Sequence, residues 1–231
     1  MYRESFPPVS EPTPMSQAPE FALIFDFGNV LAFFDEEQAW NQIAAARGLI
    51  GSELRNRAYA AGLKALARQY ELGEIDDAEF LRGCNACAGL NIPLPELTNA
   101  WGNIFRLNEP VATLVHQLAD QGHRLVLGSN TSPIHARQFR RQFQPVLQRF
   151  HHLVLSYEIG HLKPSDRFFE FCVAHAERPA EACIFIDDIA ENVAGARQVG
   201  LKAIHFQEIS QLNRDLRALG VVPKQGHSPA P

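Results

Sequence analysis

Five short runs of apolar residues punctuate the chain, and they lack the strict polar–apolar alternation of half-exposed strands. Each run is four or five residues long and has β-branched or aromatic character, which is typical of parallel strands covered on both faces. The runs are residues 21–25, 124–127, 152–155, 183–186 and 202–206. We expect them to form one buried sheet.

Helical patterns alternate with these runs: one precedes the second run, one lies between the third and fourth runs, and one lies between the fourth and fifth. The pattern over residues 110–121 places four apolar side chains on one stripe and ends at Gly122, a residue typical of helix C-termini. Two further helical patterns cover residues 165–177 and 190–199, the second ending before Gly200. This alternation predicts an α/β fold with a doubly wound parallel sheet.

One connection is much longer than the others. Residues 35–108 contain no strand-like run, only helical stretches near 38–47, 52–70, 76–87 and 94–105. About 70 residues of helix is far more than an ordinary crossover needs, so we interpret residues 35–108 as an inserted helical domain. The predicted organisation is an α/β core over residues 21–34 and 109–220, this helical insertion, and Pro-rich disordered tails at 1–20 and 221–231.

Composition and charge exclude several classes of protein. The chain is 46% hydrophobic and 20% charged, which is typical of a folded globular protein and not of a disordered one. With 21 basic and 26 acidic residues its net charge is −5, so no basic surface for nucleic acid is expected. No apolar run approaches the ~18–20 residues that span a bilayer, and residues 1–20 lack a secretory signal. We therefore expect a cytoplasmic protein without nucleic-acid or membrane partners.

The four cysteines do not suggest a disulfide framework or a metal site. Cys84 and Cys87 form a single C-x-x-C pair without a second pair, which makes a zinc site improbable on spacing alone. We expect reduced, buried or half-buried thiols.

Polar residues follow the apolar runs at the points where strands are predicted to end. In chain order they are Asp26, Ser129 and Asn130, Lys163, and Asp187 with Asp188. Taken singly, each has a simpler interpretation: a turn or cap aspartate, a loop, or a helix start. Adjacent aspartates inside a protein repel each other, however, so that pair suggests a cation. Because parallel strands end at one edge of a sheet, the complete set predicts a functional site.

Four segments of the chain resemble the four motifs of the haloacid dehalogenase superfamily. They are Asp26-x-Gly28-Asn29-Val30, Ser129-Asn130, Lys163-Pro164 and Asp187-Asp188-x-x-x-Asn192. The long insertion after the first motif resembles the cap of the helical-cap branch, as does the segment YELGEIDDAEF at 70–80. Within that branch the chain is most similar to sugar-phosphate phosphatases of the glucose-1-phosphate type. The resemblance covers about residues 21–219.

The resemblance implies a phosphatase that hydrolyses a small phosphomonoester with Mg²⁺ as cofactor. Asp26 would attack phosphorus and form an aspartyl-phosphate, which water then hydrolyses. Mg²⁺ would lie between Asp26, the backbone carbonyl of Gly28 and Asp187, with Asp188 as a second ligand or orienting group. Hard oxygen ligands are the ones this ion requires.

The same resemblance assigns the remaining motif residues. Ser129 and the Asn130 amide would hold phosphate oxygens. Lys163 would balance the charge of Asp26 and of the phosphate, since its ammonium is a compact point charge. Asn192 would fix the geometry of its loop.

At Gly28 the chain departs from most phosphatases of the superfamily, which carry a second aspartate there as general acid and base. The glucose-1-phosphate type also has glycine at this position. General acid–base help contributes about 10²–10⁴-fold, so we expect a leaving group that departs with little protonation, such as an anomeric sugar hydroxyl. Asp35 and His161 are candidates for a replacement acid.

Two alternative functions remain open from the sequence. A dehalogenase would use Asp26 on carbon, but the Asp187-Asp188 pair does not suit a metal-free site. A catalytically weak phosphate-binding protein is supported by Gly28 alone. Neither the substrate nor the oligomeric state follows from the sequence.

Overall fold

The computed structural model describes residues 20–221, and its centre is a sheet of five parallel strands in the spatial order β5-β4-β1-β6-β7. The strands of the described chain are β1 (Ala22–Phe25), β2 (Ala32–Phe34), β3 (Phe105–Leu107), β4 (Leu125–Ser129), β5 (His152–Leu155), β6 (Cys183–Asp187) and β7 (Lys202–His205). The five predicted runs are the five strands of this sheet, so the α/β fold is confirmed. Strand β1 is central, and the residues that follow it lie between the ends of β4 and β6.

Both faces of the sheet are buried, which explains why its strands show no alternation. On β1, Leu23 and Phe25 belong to one apolar cluster, whereas Ala22 and Ile24 belong to a second cluster on the opposite face. The helices of the core that cover these faces are α6 (Glu109–Asp120), α7 (Pro133–Gln142), α8 (Gln144–Leu147), α9 (Ser156–Ile159), α10 (Asp166–Ala176), α11 (Ala190–Gln198) and α12 (Ile209–Ala218).

Five helices between β2 and β3 surround a separate apolar cluster, to which Ile134 of α7 also belongs. They are α1 (Glu36–Ala45), α2 (Gly51–Ala60), α3 (Leu63–Glu71), α4 (Asp77–Ala88) and α5 (Leu94–Gly102). Tyr70 and Phe80 stack at its centre with their ring centroids 4.2 Å apart, and Trp101 packs edge-on against Trp40. Each such fully buried side chain stabilises the fold by about 1.5–3 kcal/mol, so the five helices hold together by their own packing.

The structure corrects two details of the predicted insertion. The single stretch expected over 52–70 is two helices, because Gly62 has a φ of 101°, a left-handed conformation that interrupts the helix. The helical stretch expected over 94–105 ends at Gly102, and Phe105 begins β3, which pairs antiparallel with β2. Residues 35–108 therefore do contain a strand, as half of a two-stranded ribbon at the base of the helices.

A hydrogen-bond network joins the five helices to the sheet-bearing part of the chain. The buried Tyr70 hydroxyl donates to Asp77 Oδ1 at 2.6 Å and accepts from the Ile134 backbone N–H at 3.2 Å. Arg137 on α7 pairs with the same Asp77 carboxylate. The first turns of α7, directly after β4, are thus fixed against α3 and α4.

The predicted tails at 1–20 and 221–231 lie outside the described residues except for Glu20, which is exposed, and Val221. Val221 is buried and packs in the core, so the ordered part of the chain extends at least to this residue. Cys84, Cys87, Cys172 and Cys183 are all free, as expected. Within residues 20–221 no helix has the length and apolar character needed to cross a membrane.

Candidate active site

Asp26 stands at the centre of the edge where the strands end. It follows β1 directly, and its backbone N–H donates to Ile186 O on β6 at 2.9 Å. The parallel register sets Phe25 opposite Leu127 of β4 and Ile186 of β6. Side chains that follow these three strands are therefore brought to one level, as the sequence analysis predicted.

Lys163 bridges the two aspartates that follow β1 and end β6. Its Nζ lies 2.6 Å from Asp26 Oδ1 and 2.7 Å from Asp187 Oδ2. The Lys163 side chain is only 2% exposed, and those of Asp26 and Asp187 are 8% and 0% exposed. An ammonium this deeply buried is stable only because both carboxylates pair with it.

Burial is the largest influence on the pKa of Asp26, the candidate nucleophile. It raises the pKa of Asp26 to about 7, with the charge of Asp187 adding to the rise and Lys163 opposing it. For Lys163, burial disfavours the charged form, but the two carboxylates outweigh that effect and raise the pKa of its ammonium. Lys163 is thus a fixed positive charge, and it keeps Asp26 closer to its anionic form.

Asp187 is held rigidly by groups around its carboxylate. The Asn192 side-chain amide donates to both of its oxygens at 3.1 Å, and the Ile189 backbone N–H donates to Oδ1 at 2.8 Å. Asn192 is buried in α11, so its amide has a fixed position. The structure therefore places Asn192 on the Asp187 carboxylate, where it orients that carboxylate.

Asp188 is oriented by a residue that the sequence analysis quoted without a role. The Asn29 side-chain amide donates to Asp188 Oδ2 at 3.2 Å. Asn29 has a φ of 54°, a left-handed conformation that asparagine tolerates better than most residues. Burial raises the pKa of Asp188, an effect that the Asn29 hydrogen bond opposes.

The three aspartates fit a divalent cation. One carboxylate oxygen from each of Asp26, Asp187 and Asp188 lies within 4.8 Å of the others. Three carboxylates against the single Lys163 charge leave an excess of negative charge in a buried place, and such clusters are stabilised by a cation. The donors are all oxygens, which suits Mg²⁺. The backbone carbonyl of Gly28 stays a predicted fourth contributor.

Asn192→Leu tests how this cluster binds a cation. Leucine has a similar size but no amide, so the Asp187 carboxylate loses two hydrogen bonds and its fixed orientation. We expect the affinity for Mg²⁺ to fall by about 10–100-fold, the usual effect of removing a group that orients a metal ligand. This affinity is measured from the rise in melting temperature as Mg²⁺ is added. Asn56→Leu, on an exposed site of α2, is the control, and equal affinity in both variants would contradict this role.

Ser129 and Asn130 lie on the opposite side of Asp26 from Asp187. Ser129 ends β4 and is buried. The Asn130 side chain accepts from the Lys163 backbone N–H at 2.8 Å and donates to Lys163 O at 3.2 Å, so it holds the backbone that carries the lysine. The side-chain amide of Asn130 is therefore already engaged, and phosphate binding by its backbone N–H stays a prediction.

Phe34 packs over Gly28, the position without the second aspartate. A Cβ added to Gly28 would lie 3.3 Å from Phe34 Cε1, a close contact. The two candidates for a replacement acid make other contacts in the structure. The Asp35 carboxylate accepts from the backbone N–H groups of Glu37 and Gln38 and caps α1, and the His161 ring faces Phe171.

Two positioning groups could be anticipated only in part from the sequence. Asn29 belongs to the first motif, and asparagine in a turn signals a left-handed residue, but its partner Asp188 is 159 residues away. Ser156 carries no recognisable signal, yet its hydroxyl accepts from Thr131 N at 2.9 Å and donates to Thr131 O at 3.0 Å. It thereby fixes the loop that follows Ser129 and Asn130.

Comparisons with known proteins agree with this geometry. The family model of haloacid dehalogenase-like hydrolases matches residues 22–200. A D-ribitol-5-phosphate phosphatase of Bacteroides thetaiotaomicron is 22% identical over 204 residues, 85% of this chain and 97% of that protein. A sesquiterpene phosphatase of Aspergillus oryzae is 25% identical over 204 residues, 86% of this chain and 95% of that protein.

A solved structure has the same fold. The family enzyme bt-2542 of Bacteroides thetaiotaomicron, in complex with magnesium and inorganic phosphate, superposes with a TM-score of 0.72 at 24% identity. The match covers 83% of this chain and 98% of that one.

Proposed function

The chain belongs to the haloacid dehalogenase-like hydrolases, and from this premise we propose that it is a magnesium-dependent phosphatase of small phosphomonoesters, most specifically of a sugar phosphate. The observation that carries the proposal is the buried Asp26–Lys163–Asp187 arrangement, with Asp188 beside it. It combines a carboxylate nucleophile, a fixed positive charge and a cluster of oxygen ligands. Relatives named as phosphatases of ribitol phosphate and of a sesquiterpene support a phosphate ester as substrate.

Asp26 has one oxygen in position for attack. Its Oδ1 accepts from Lys163 Nζ and, at 2.7 Å, from the Phe27 backbone N–H. No hydrogen bond from residues 20–221 reaches Oδ2, which keeps a lone pair for phosphorus. In-line attack by Oδ2 breaks the bond to the leaving-group oxygen and forms an aspartyl-phosphate. Water then attacks that phosphorus, which releases phosphate and restores the carboxylate.

Lys163, Ser129 and the Asn130 backbone N–H bind phosphate in this proposal. Lys163 offsets the negative charge of Asp26 and of the phosphate oxygens in a site shielded from water, where such an interaction is strong. Ser129 offers a hydroxyl at the end of β4, on the far side of Asp26 from Asp187.

Asp26, Asp187 and the Gly28 carbonyl would hold Mg²⁺, with Asp188 as a further ligand or an orienting group. When bound, the cation supplies positive charge that lets an anionic carboxylate approach an anionic phosphate. Asn192 and Asn29 keep the two carboxylates on the β6 side in place for it.

The helices α1–α5 form a cap in this proposal. We assign residues 35–108 to the cap and residues 21–34 with 109–220 to the core. Because the cap follows the motif with Asp26, it lies over the edge where the strands end, and its side chains contact the leaving group. Glycine at position 28 favours a leaving group that departs with little protonation, such as an anomeric hydroxyl.

Phosphate release from a panel of phosphomonoesters, with and without Mg²⁺, tests the proposal. The panel contains a chromogenic phosphate, anomeric and primary-alcohol sugar phosphates, and nucleotides. We expect Mg²⁺-dependent release that favours the anomeric phosphates. Equal rates on anomeric and primary esters would overturn the preference inferred from Gly28 but would leave the phosphatase proposal intact. No release from any ester by folded protein would overturn the phosphatase, and halide release from a haloacid would indicate a dehalogenase.

A further inference from the structure

A cavity of about 180 Å³ lies between the cap helices and the start of α7. Four polar side chains line it, together with two aromatic rings and four aliphatic side chains; the polar ones are Glu36, Tyr59, Glu71 and His135. The aromatic rings are those of Phe34 and Trp101.

Two of these residues connect the cavity to the candidate active site. Phe34 lines the cavity and packs over Gly28, two residues from Asp26. His135 lies in the first turn of α7, six residues after Ser129 in the sequence. Through Phe34 the cavity is therefore next to the first motif, where the part of a substrate beyond its phosphate needs space.

The carboxylates and the Tyr59 oxygen that line the cavity can accept hydrogen bonds. The Tyr59 hydroxyl already donates to Glu36 Oε1 at 2.5 Å, so its oxygen is left as an acceptor. His135 Nε2 is buried and has no hydrogen-bond partner among the described residues. Burial lowers the pKa of His135 to about 4, so the ring is neutral and its unpartnered Nε2 is available for one hydrogen bond with a ligand.

The side chains of Glu36 and Glu71, which line the cavity, are both acidic. Glu36 and Glu71 contribute carboxyl groups, burial raises the pKa of Glu71, and none of the described residues that line the cavity is a lysine or an arginine. An anionic group entering this space would meet like charge, and no described lining residue offers it a cationic partner. An alcohol or ammonium group would find acceptors on several sides.

We infer that this cavity binds the leaving group of the substrate and selects a short alcohol rich in O–H or N–H donors, neutral or cationic, against an anionic one. The inference rests on the phosphatase function proposed above and adds a specificity that depends on Glu71 and His135. The cavity is smaller than the roughly 300–1,000 Å³ of most ligand pockets, which favours a leaving group no larger than a monosaccharide.

A matched pair of substrates tests the charge selectivity. Glycerol phosphate and phosphoglycerate have the same number of carbons and a terminal phosphate, but only the second carries a carboxylate. We expect kcat/KM to favour glycerol phosphate by at least about tenfold, since like charges in contact are strongly unfavourable. Phosphoethanolamine, with an ammonium group, should be hydrolysed at least as well as phosphoglycerate. A long isoprenoid phosphate should be a poor substrate.

Substitutions of residues that line the cavity test whether the cavity causes this selectivity. Glu71→Gln keeps the shape and removes the charge, and it should reduce the preference for glycerol phosphate by about threefold or more. Glu74→Gln makes the same change on an exposed residue outside the cavity and should leave the preference unaltered. His135→Phe should raise KM for glycerol phosphate several-fold and leave KM for propyl phosphate, which has no hydroxyl groups, as it is.

The outcomes separate this inference from the proposed function. Hydrolysis of a chromogenic phosphate, combined with equal kcat/KM for the two matched substrates, would overturn the inference and leave the phosphatase intact. The same change of preference in Glu71→Gln and Glu74→Gln would also overturn it. No hydrolysis of any ester by folded protein would contradict the phosphatase itself and the inference with it.

Discussion

Asp26→Asn should abolish hydrolysis of phosphomonoesters, with a loss of at least about 10⁴-fold in kcat, because the amide has no anionic oxygen to attack phosphorus. The substitution is nearly isosteric. Asparagine still presents an oxygen where Lys163 and the Phe27 backbone donate to Asp26 Oδ1, so the fold should be kept. Phosphate release measures activity, and circular dichroism with a thermal melt confirms folding.

Asp35→Asn is the matched control for that substitution. Asp35 is exposed and caps α1, a position where asparagine is about as favourable as aspartate, so activity should change by less than about twofold. A large loss in this variant would instead make Asp35 the acid that replaces the aspartate missing at position 28. Activity near the wild-type level in freshly purified Asp26→Asn would exclude Asp26 as the nucleophile.

Lys163→Met should lower both activity and stability, because it removes the positive charge that Asp26 and Asp187 share. Removing one partner of a buried ion pair costs about 3–5 kcal/mol in the free energy of unfolding, since the remaining charge stays buried without compensation. For hydrolysis we expect a loss of about 10²-fold or more in kcat, comparable to removing one group that stabilises transition-state charge. Denaturant unfolding and phosphate release measure the two effects.

The stability loss in Lys163→Met should depend on pH and on Mg²⁺. With Lys163 present the pKa of Asp26 is about 7, and without it this pKa rises further, because Lys163 opposes the rise. Protonation of Asp26 relieves its repulsion with Asp187. The loss measured in chelator should therefore be larger at about pH 8 than at about pH 6. Mg²⁺ should restore part of it by binding the folded state.

Lys64→Met, on an exposed position of α3, is the control for the lysine. It should leave both the free energy of unfolding and the activity close to those of the wild type. A Lys163→Met variant as stable as Lys64→Met in chelator at about pH 8 would contradict the view that Lys163 compensates two buried carboxylates.

An aspartate side chain at position 28 would press against the ring of Phe34. Phe34 Cε1 would lie 3.3 Å from a Cβ at this position, so the ring must move by a few tenths of an ångström to admit any side chain. Phe34 also lines the cavity next to the site. The absence of a side chain at residue 28 and the shape of the neighbouring cavity are therefore linked through one aromatic ring.

The strands of the sheet and their polar ends could be predicted from the sequence alone. Strands buried on both faces must be apolar throughout, and such runs are visible without knowledge of their neighbours, as for residues 22–25 and 183–186. Parallel strands end at one edge, so Asp26, Ser129 and Asp187 were predicted to meet there, and Lys163 reaches the same place. The helical insertion was predicted from its length.

Short strands and local helix breaks could not be predicted from the pattern of apolar residues. Strand β3 has three residues, too few to show a period, and it is a strand only because it pairs with β2, more than 70 residues earlier. The helix break at Gly62 was missed because the pattern of apolar residues continues on both sides of it.

The sequence by itself therefore determined the α/β fold, the order of the motifs and the chemistry available at the strand ends, since these depend on local composition and on general rules of sheet topology. Only the tertiary structure decided how that chemistry is oriented. It pairs Asn29 with Asp188, places Asn130 on the backbone of Lys163, sets Phe34 over Gly28 and gathers Glu71 and His135 around one cavity. Such contacts join residues far apart in the chain, and they form only when the helices between β2 and β3 have packed against the sheet-bearing part of the chain.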